Sequence, residues 1–544
     1  MHPSKLSRRD LLAAFLAAPV AAAACKKSPP PLPPGEIAFP SEKLGHRVRD
    51  GAKVEVPSDG WTRAGVVVVG AGVAGLSAAW RLARADVSDV AILELDTAPG
   101  GTAKSGKTAL CAYPWGAHYI TRPMGDNRAL VTMLREAGIV TGLDASGQPV
   151  VGEETLCREP QERVFANGEW HEGIFLRDGA SARDLDELAA FHAEIDRYAA
   201  MRDAKARRAF AIPIATASDD ADLVALDRIT MTEWLDRKGW HSPRLRWLCD
   251  YACRDDYGTH ATETSAWAGI FYWAARTRAP GRDTEPVMTW PEGNGRLVAH
   301  LYGRVKEHVR LGEAAIEIVP EDSGVRIVTI DADGHARGLH ADQVVFAAPQ
   351  FIARAAIRPW RDAPPPHVAA FEYAPWMVAN LSLSSRPKDR GFPFAWDNVL
   401  YDSPSLGYVS ASHQLYRDHG PNVITYYRAL ADGDAVTARK HLLAAGRDEW
   451  ADVALADLEI AHPEIRALTT RLDVIRWGHA MVRPKPGMIF GAARKAAQQP
   501  YRGIHFACTD LSGVALFEEA FFHGVRAAEE VLAARGVESA SMLG

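Results

Sequence analysis

Gly70-Ala71-Gly72-Val73-Ala74-Gly75 is a G-x-G-x-x-G arrangement, and Glu94 stands 19 residues past its last glycine. That spacing suits a dinucleotide. The first glycine allows a tight turn out of a strand, and the second lets backbone approach a pyrophosphate. The third lets a helix pack closely on the sheet, with its N-terminus toward the phosphates. A carboxylate ending the next strand can accept hydrogen bonds from a ribose diol. The flanks agree: Val66-Val67-Val68-Val69 reads as a buried strand, Leu76-Ser77-Ala78-Ala79 as an apolar helix and Ala91-Ile92-Leu93-Glu94-Leu95 as a second strand. Together they predict a β-α-β unit rather than an isolated Gly-rich turn.

A chain of 544 residues exceeds what one core supports, so two domains are expected. Its hydrophobic and charged fractions, 47% and 24%, are those of a globular protein. A formal charge of −6 leaves no basic footprint and excludes nucleic acid as the expected partner. Cys25, Cys111, Cys157, Cys249, Cys253 and Cys508 are scattered, without a disulfide framework or a paired C-x-x-C pattern. Cys249 and Cys253 read as buried thiols, and no metal is expected.

Ser7-Arg8-Arg9-Asp10-Leu11-Leu12 carries a twin arginine, and Leu11 to Ala24 is apolar but too short to span a bilayer. Residues 1–25 therefore resemble a bacterial Tat signal. Ala22-Ala23-Ala24-Cys25 admits two endings, cleavage before Cys25 or lipidation of Cys25; it resembles a lipobox except that Ala22 stands where Leu is usual. Residues 26–60 are expected to form a Pro-rich tether, with six prolines between Pro29 and Pro40. The expected location is outside the cytoplasm, periplasmic or lipid-anchored at the envelope, with membrane contact only through Cys25. Folded export suits a tightly held flavin, whereas a diffusible nicotinamide would lack its cytoplasmic pool.

Thr97-Ala98-Pro99-Gly100-Gly101-Thr102-Ala103 places a glycine doublet shortly after the ribose acid, and Tyr113-Pro114-Trp115-Gly116-Ala117-His118-Tyr119-Ile120 follows. With the fingerprint, these segments resemble the flavin-dependent amine oxidase superfamily, which also includes protoporphyrinogen oxidases and phytoene-type desaturases. Trp290-Pro291-Glu292-Gly293-Asn294-Gly295-Arg296-Leu297 is similar to that family's Gly-rich entry into a helix. Ala314 to Val319 and Val325 to Ile330 read as strands, Asp331-Ala332-Asp333-Gly334 as a turn, and Ala341 to Pro349 as a buried strand ending at a proline. Gly503 to Asp510, continuing through Leu511 to Ala515 into a helix over roughly Phe517 to Arg535, resembles the family's final flavin-binding element. The resemblance implies FAD held by Gly70, Gly72, Gly75, Glu94, Gly100, Gly101, Thr102, Gly116, Ala117, Ile316, Asp510 and Val514. It implies non-covalent attachment, since Thr509-Asp510-Leu511-Ser512-Gly513 stands where covalently flavinylated relatives carry cysteine.

Oxidation by a flavin requires a C–H bond held against the ring and water excluded, so few side chains are obligatory. His118 is expected beside the ring, with loop packing as the alternative. Trp477 and His479 are the expected pocket residues, and the alternative is an ordinary aromatic core. Glu518 opens the last helix beside Glu519, where complementing the macrodipole competes with recognising a cationic amine. Asp255 and Asp256 could do acid/base work or bind a cation, but a helix end closed at Gly258 explains them as well. Trp267, Phe271, Tyr272 and Trp273 read as core. Many relatives carry a lysine on the strand corresponding to Trp376 to Leu383; this chain does not, which weighs against amine oxidation and against oxygen as acceptor.

The expected fold is α/β: a discontinuous FAD-binding Rossmann-like domain of glutathione reductase type over 61–140, 285–350 and 470–540. An α+β substrate domain over 141–284 and 351–469 is interleaved with it, and its helices are expected over Ala182 to Arg208, Arg244 to Trp273 and Thr437 to Ala461. The function implied is an exported FAD-dependent oxidoreductase taking a hydride from a C–N or activated C–C bond of a small or lipidic substrate and passing electrons to oxygen or a quinone. The rivals are an isoprenoid-type desaturase, marked by an apolar tunnel without acids, and a non-catalytic flavin-binding envelope protein.

Overall fold

The computed structural model describes residues 31–39, 42–278 and 286–543. The Tat-like segment, Cys25 and the first residues of the tether lie outside the described residues. Among the described residues, no helix is long and apolar enough to cross a membrane.

The valine run is central to a seven-stranded sheet. Trp61–Val69 pairs in parallel with Val90–Glu94 on one side and Ala336–Phe346 on the other. Val309–Leu311 extends the sheet beyond Val90–Glu94, Ile504–Phe506 joins Ala336–Phe346 in parallel, and the antiparallel strands Val325–Asp331 and Glu313–Pro320 complete it. Val66 and Val68 enter one hydrophobic core and Val67 and Val69 the other. Both faces are covered, which is why this strand is continuously apolar instead of alternating. On one face, Val73–Ala83 packs with the final helix Phe517–Ala534 through Leu76, Trp80, Phe521 and Val525. This sheet, drawn from three stretches of sequence, is the Rossmann-like domain.

A second seven-stranded sheet runs in the order Thr469–Val482, Tyr373–Leu383, Asn422–Ala429, Tyr408–Ser410, Asp397–Leu400, Glu162–Ala166, Glu169–Glu172. Helices Ala435–Ala444 and Arg447–Leu458 pack against it through Leu442, Trp450 and Leu455. A helical group built from Ala182–Ala200, Pro243–Tyr257 and Ala266–Ala274 encloses the Trp267 and Phe271 core.

The boundary expected at residue 470 moves, because Thr469–Val482 pairs with Tyr373–Leu383 and so belongs to the substrate sheet. Two of the expected long helices are broken. Arg244 to Trp273 divides where Gly258 adopts a left-handed cap, φ 62°, after Pro243–Tyr257. Thr437 to Ala461 divides at Ala445-Gly446. The helix expected from Ala182 to Arg208 ends at Ala200.

The tether expected over 26–60 is corrected: Glu42–Arg49 is a helix whose Leu44 and Val48 enter the core, and residues 34–38 are extended but not free. Leu472 and Val474 donate their N–H groups to Pro34 and Glu36 carbonyls at 2.9 Å each, and Ala38 N–H returns one to Val474 at 2.8 Å. Arg471 also pairs with Glu36 at 2.9 Å.

Gly75 sits where a Cβ would lie 1.8 Å from the Gly70 carbonyl oxygen. Gly75→Ala is expected to cost about 3 kcal/mol, the upper end of ordinary overpacking penalties. A lower midpoint in thermal or urea denaturation, with loss of bound flavin, is the outcome that checks it.

Candidate active site

The nucleotide end is built from backbone. Gly70, φ 100°, ends the first strand, and Gly72 stands at the N-cap of Val73–Ala83. Gly72 and Gly101 face each other, and a Cβ on either would meet only the other's Cα, at 3.9 and 3.5 Å. Beside them Thr102 is exposed although Ala103 and Lys104 behind it are buried. Glu94 is buried, and its carboxylate accepts Ala71 N–H at 2.8 Å and Asp96 N–H at 2.9 Å. Burial pushes its pKa up and the two backbone donors push it down. The arrangement fixes the carboxylate against the turn while leaving lone pairs for a diol. Further along, the Asn294 side chain donates to the Tyr119 carbonyl at 2.9 Å, and its Oδ1 is buried without a partner. Two open-faced glycines, a helix N-terminus, an exposed threonine and an unpaired acceptor fit an elongated dinucleotide.

Other expected binding residues are placed less directly. Asp510 is next to this cleft: Ala347 N–H donates to Val69 at 2.9 Å, and three residues later Gln350 N–H donates to Asp510 at 2.8 Å. Tyr373 donates to the same carboxylate oxygen at 2.5 Å, so Asp510 staples the loop after Ala336–Phe346 to the substrate sheet. The Ile316 carbonyl accepts from Arg361 and its side chain is core. The Val514 side chain packs in the helical core, while its neighbours Ala515 and Leu516 line the cavity.

The cavity brings Thr102, Gly116 and Ala117 of one domain against Tyr251, Trp376, Tyr427 and Trp477 of the other. An adjoining chamber shares His118, Tyr119, Thr121, Asp255, Arg276 and Asp397 with it and adds Glu162, Tyr272 and Trp396. Asn380, Trp477 and Tyr427, on three strands of the substrate sheet, donate to the successive carbonyls of Pro114, Trp115 and Gly116 at 3.0, 2.7 and 2.8 Å.

His118, Trp477 and Glu518 all line the cavity; His479 does not. Trp477 pairs with Trp376 and Met481 with Ala374, so three residues of one strand face the single Pro375 of the other. That bulge breaks the alternation and turns His479 away, to stack on Phe351 at 3.9 Å between ring centres, while Ala480 and Met481 face the cavity. Burial pushes the His479 pKa down to about 3. His118 packs against Tyr427, Trp396 and Tyr119 with ring centres 4.8 to 5.4 Å apart. Burial holds it at a pKa of about 4, so the ring is neutral. Its Nδ1 faces the Gly116 carbonyl at 3.3 Å, which can only accept, and Nε2 is therefore the basic nitrogen. Glu518 accepts from Thr121 N–H and hydroxyl at 3.0 and 2.8 Å.

Five carboxylates border the two chambers: Asp255, Asp256, Asp397, Glu518 and Glu162. Asp256 is matched by Arg276 at 2.5 Å and receives the Tyr119 hydroxyl at 3.2 Å. Burial, aided by Asp256, raises the Asp255 pKa to about 7. Burial also raises Glu162 to about 7, with Glu159 adding repulsion. Asp397 is raised by burial and by Glu162, although Tyr251 donates to it at 3.3 Å. Asp255 and Asp256 thus end a helix closed at Gly258 and face the cavity as well. Glu162, Arg276, Asp397 and Tyr427 were not legible as site residues. A signal existed only for Tyr251, which shares a helix face with Asp255 at i, i+4.

A model of the family described as flavin containing amine oxidoreductase matches residues 73–532. Solved structures share the fold at 16% identity. They include a putrescine oxidase triple mutant, TM-score 0.63, covering 87% of this chain and 100% of its own. Cyclohexylamine oxidase from Brevibacterium oxydans IH-35A has a TM-score of 0.59 at 16% identity, with 87% and 99% covered. A CLA-producing fatty acid isomerase from P. acnes has a TM-score of 0.59 at 16% identity, with 87% and 98% covered. No curated protein sequence matches the chain.

Glu94→Ala should lower flavin occupancy at least tenfold at limiting FAD, about 1.4 kcal/mol or more, through lost hydrogen bonds to the ribose and the turn. The ratio of flavin to protein absorbance reads it, and unchanged occupancy would mean that the ribose lies elsewhere.

Proposed function

The chain belongs to the flavin containing amine oxidoreductase family, and from that premise we propose that it is an exported enzyme removing a hydride from the carbon beside a cationic nitrogen. It is an FAD-dependent oxidoreductase. No cysteine is among the described residues lining the cavity, which supports a flavin held without a covalent bond.

The fold alone does not choose a substrate, since similar structures bear the names of amine oxidases and of a fatty acid isomerase. The cavity carries the choice: aromatic rings and carboxylates meet at the Gly116-Ala117 wall, where an apolar tunnel without acids would suit an isoprenoid. Gly72, Gly101 and Thr102 would hold the pyrophosphate, Glu94 the ribose, and Gly116, Ala117 and Asn294 the ring side. When bound, the flavin supplies the two-electron acceptor.

The rings of Tyr119, Tyr251, Tyr427 and Trp477 enclose the alkyl chain and offer π faces to a cation. Hydride loss needs a neutral nitrogen, so a protein group must take the ammonium proton. Asp255, with a pKa of about 7, is the carboxylate placed to accept it. His118, neutral above about pH 4, offers a lone pair to hold an amine N–H. Export is supported by Arg8-Arg9 and the apolar Leu11 to Ala24. Among the described residues no lysine lines the cavity, which supports a quinone over oxygen as acceptor.

Anaerobic mixing with primary amines should bleach the flavin; if no amine does so and an apolar alkene precursor does, the desaturase reading replaces this one. kcat/KM for the amine should rise as pH increases through about 7, because Asp255 must be charged to take the proton. Asp255→Asn should flatten that limb and lower kcat/KM by about 10²–10⁴-fold.

A further inference from the structure

The amino-terminal segment is fastened to both domains. Gly35 lies where a Cβ would come 1.7 Å from the Leu472 carbonyl oxygen, so only glycine lets the chain run this close to Thr469–Val482. Glu36 N–H donates to the Asp473 carboxylate at 3.0 Å, and Ala38 N–H to the Val474 carbonyl at 2.8 Å. Further on, Leu44 and Val48 of Glu42–Arg49 enter the core of the flavin domain, while Glu42 pairs with Arg476 of the substrate sheet at 2.6 Å. Phe39 stands between these attachments.

Phe39 has φ 48°, a left-handed conformation that is costly for a bulky side chain. Pairing along the sheet edge does not require it. The ring instead meets Trp115 edge to face, 6.2 Å between centres, and the Lys104 ammonium lies 4.5 Å from the Phe39 ring centre. Lys104 is buried, ion-paired with Asp96, and 5.7 Å from the ring centre of Trp477. The Lys104 carbonyl accepts Trp115 N–H at 3.0 Å, and the Trp115 carbonyl accepts the Trp477 indole N–H at 2.7 Å. Of these four side chains, Trp477 lines the cavity and the other three stand behind it.

We propose that Phe39 is a positioning residue for the substrate cavity: through Lys104 and Trp115 it fixes the plane of Trp477, which makes the amino-terminal segment a working part of the site. With Phe39 in place the ammonium is held between two π faces and Asp96. Without it, Lys104 loses one face, Trp115 loses a packing partner, and Trp477 is no longer braced from behind. Trp477 touches the body of the substrate rather than the bond that reacts, so the effect falls on binding. The choice of amines as probes rests on the amine reading above; the bracing of the wall does not.

Holoenzyme of the whole chain is compared as wild type, Phe39→Ala, Phe39→Tyr, Gly35→Ala and the Gly35→Ala, Phe39→Ala pair. Gly35→Ala displaces the segment without touching the cavity. Phe39→Ala and Gly35→Ala are each expected to raise KM for n-hexylamine about tenfold with kcat changed less than about twofold, the pattern of lost uniform binding. Phe39→Tyr keeps the ring and should keep the wild-type KM. The double variant should be no worse than Phe39→Ala, because both changes sever one path. Hydrogen exchange of the peptide over residues 113–120 needs no substrate, and should quicken in Phe39→Ala and Gly35→Ala but not in Phe39→Tyr. Should Phe39→Ala fail to fold, Phe39→Leu, which keeps bulk and loses the π face, carries the same expectations. A lower melting temperature with KM and exchange unmoved, a KM that Phe39→Tyr fails to restore, or additive effects in the pair overturns the positioning role and leaves amine oxidation standing. If no amine bleaches the flavin, the amine reading falls and exchange over residues 113–120 alone decides the positioning role.

Discussion

Three consecutive peptide carbonyls hold the molecule's two halves in one frame. Pro114, Trp115 and Gly116 each accept from a different strand of the substrate sheet, through Asn380, Trp477 and Tyr427. Those strands are neighbours in the sheet, so the donors share one rigid platform. A buried carbonyl that loses its partner costs about 1–3 kcal/mol. The residues that follow, Ala117 and His118, line the cavity. Displacing the substrate sheet would therefore pull directly on the wall beside the dinucleotide. Asp510 adds a second tie of the same kind, joining Gln350 to Tyr373.

Within that frame, buried acids are treated in two ways. Asp457 accepts from Ser403 and Tyr426, and Asp510 from Tyr373 and Gln350, so these carboxylates act as structural acceptors. At the cavity, burial raises the pKa of Asp255, Glu162 and Asp397. Stability is given up at the cavity in return for a field that favours positive charge. Rings of Tyr119, Tyr251, Tyr427 and Trp477 supply the apolar walls that keep this field unscreened.

The nucleotide half could be read from sequence because its physics is local. Gly70, Gly72, Gly75 and Glu94 lie within one β-α-β unit, where turn, helix and carboxylate are set by short spacings. The substrate half is governed by pairings between distant segments. Glu162 and Asp397 meet only through strand register, and Arg276 reaches Asp256 from the end of another helix. His479 was misplaced because alternation along Thr469–Val482 fails at a bulge opposite Pro375, which no periodicity reveals. Long helices were overextended at Gly258 and Gly446, where single glycines interrupt an otherwise continuous apolar pattern. Asp255 and Asp256 teach the complementary lesson, since a helix terminus and a cavity wall are compatible uses of the same residues.

The strand formed by residues 34–38 against Leu472–Val474 covers a sheet edge that would otherwise offer free N–H and C=O groups to another chain. Its two sides are separated by more than four hundred residues. During synthesis the amino-terminal side emerges first, yet it has nothing to zip onto until most of the polypeptide has left the ribosome. Residues 34–38 must therefore wait unpaired through most of elongation, and the edge on Thr469–Val482 can be capped as soon as that strand is made.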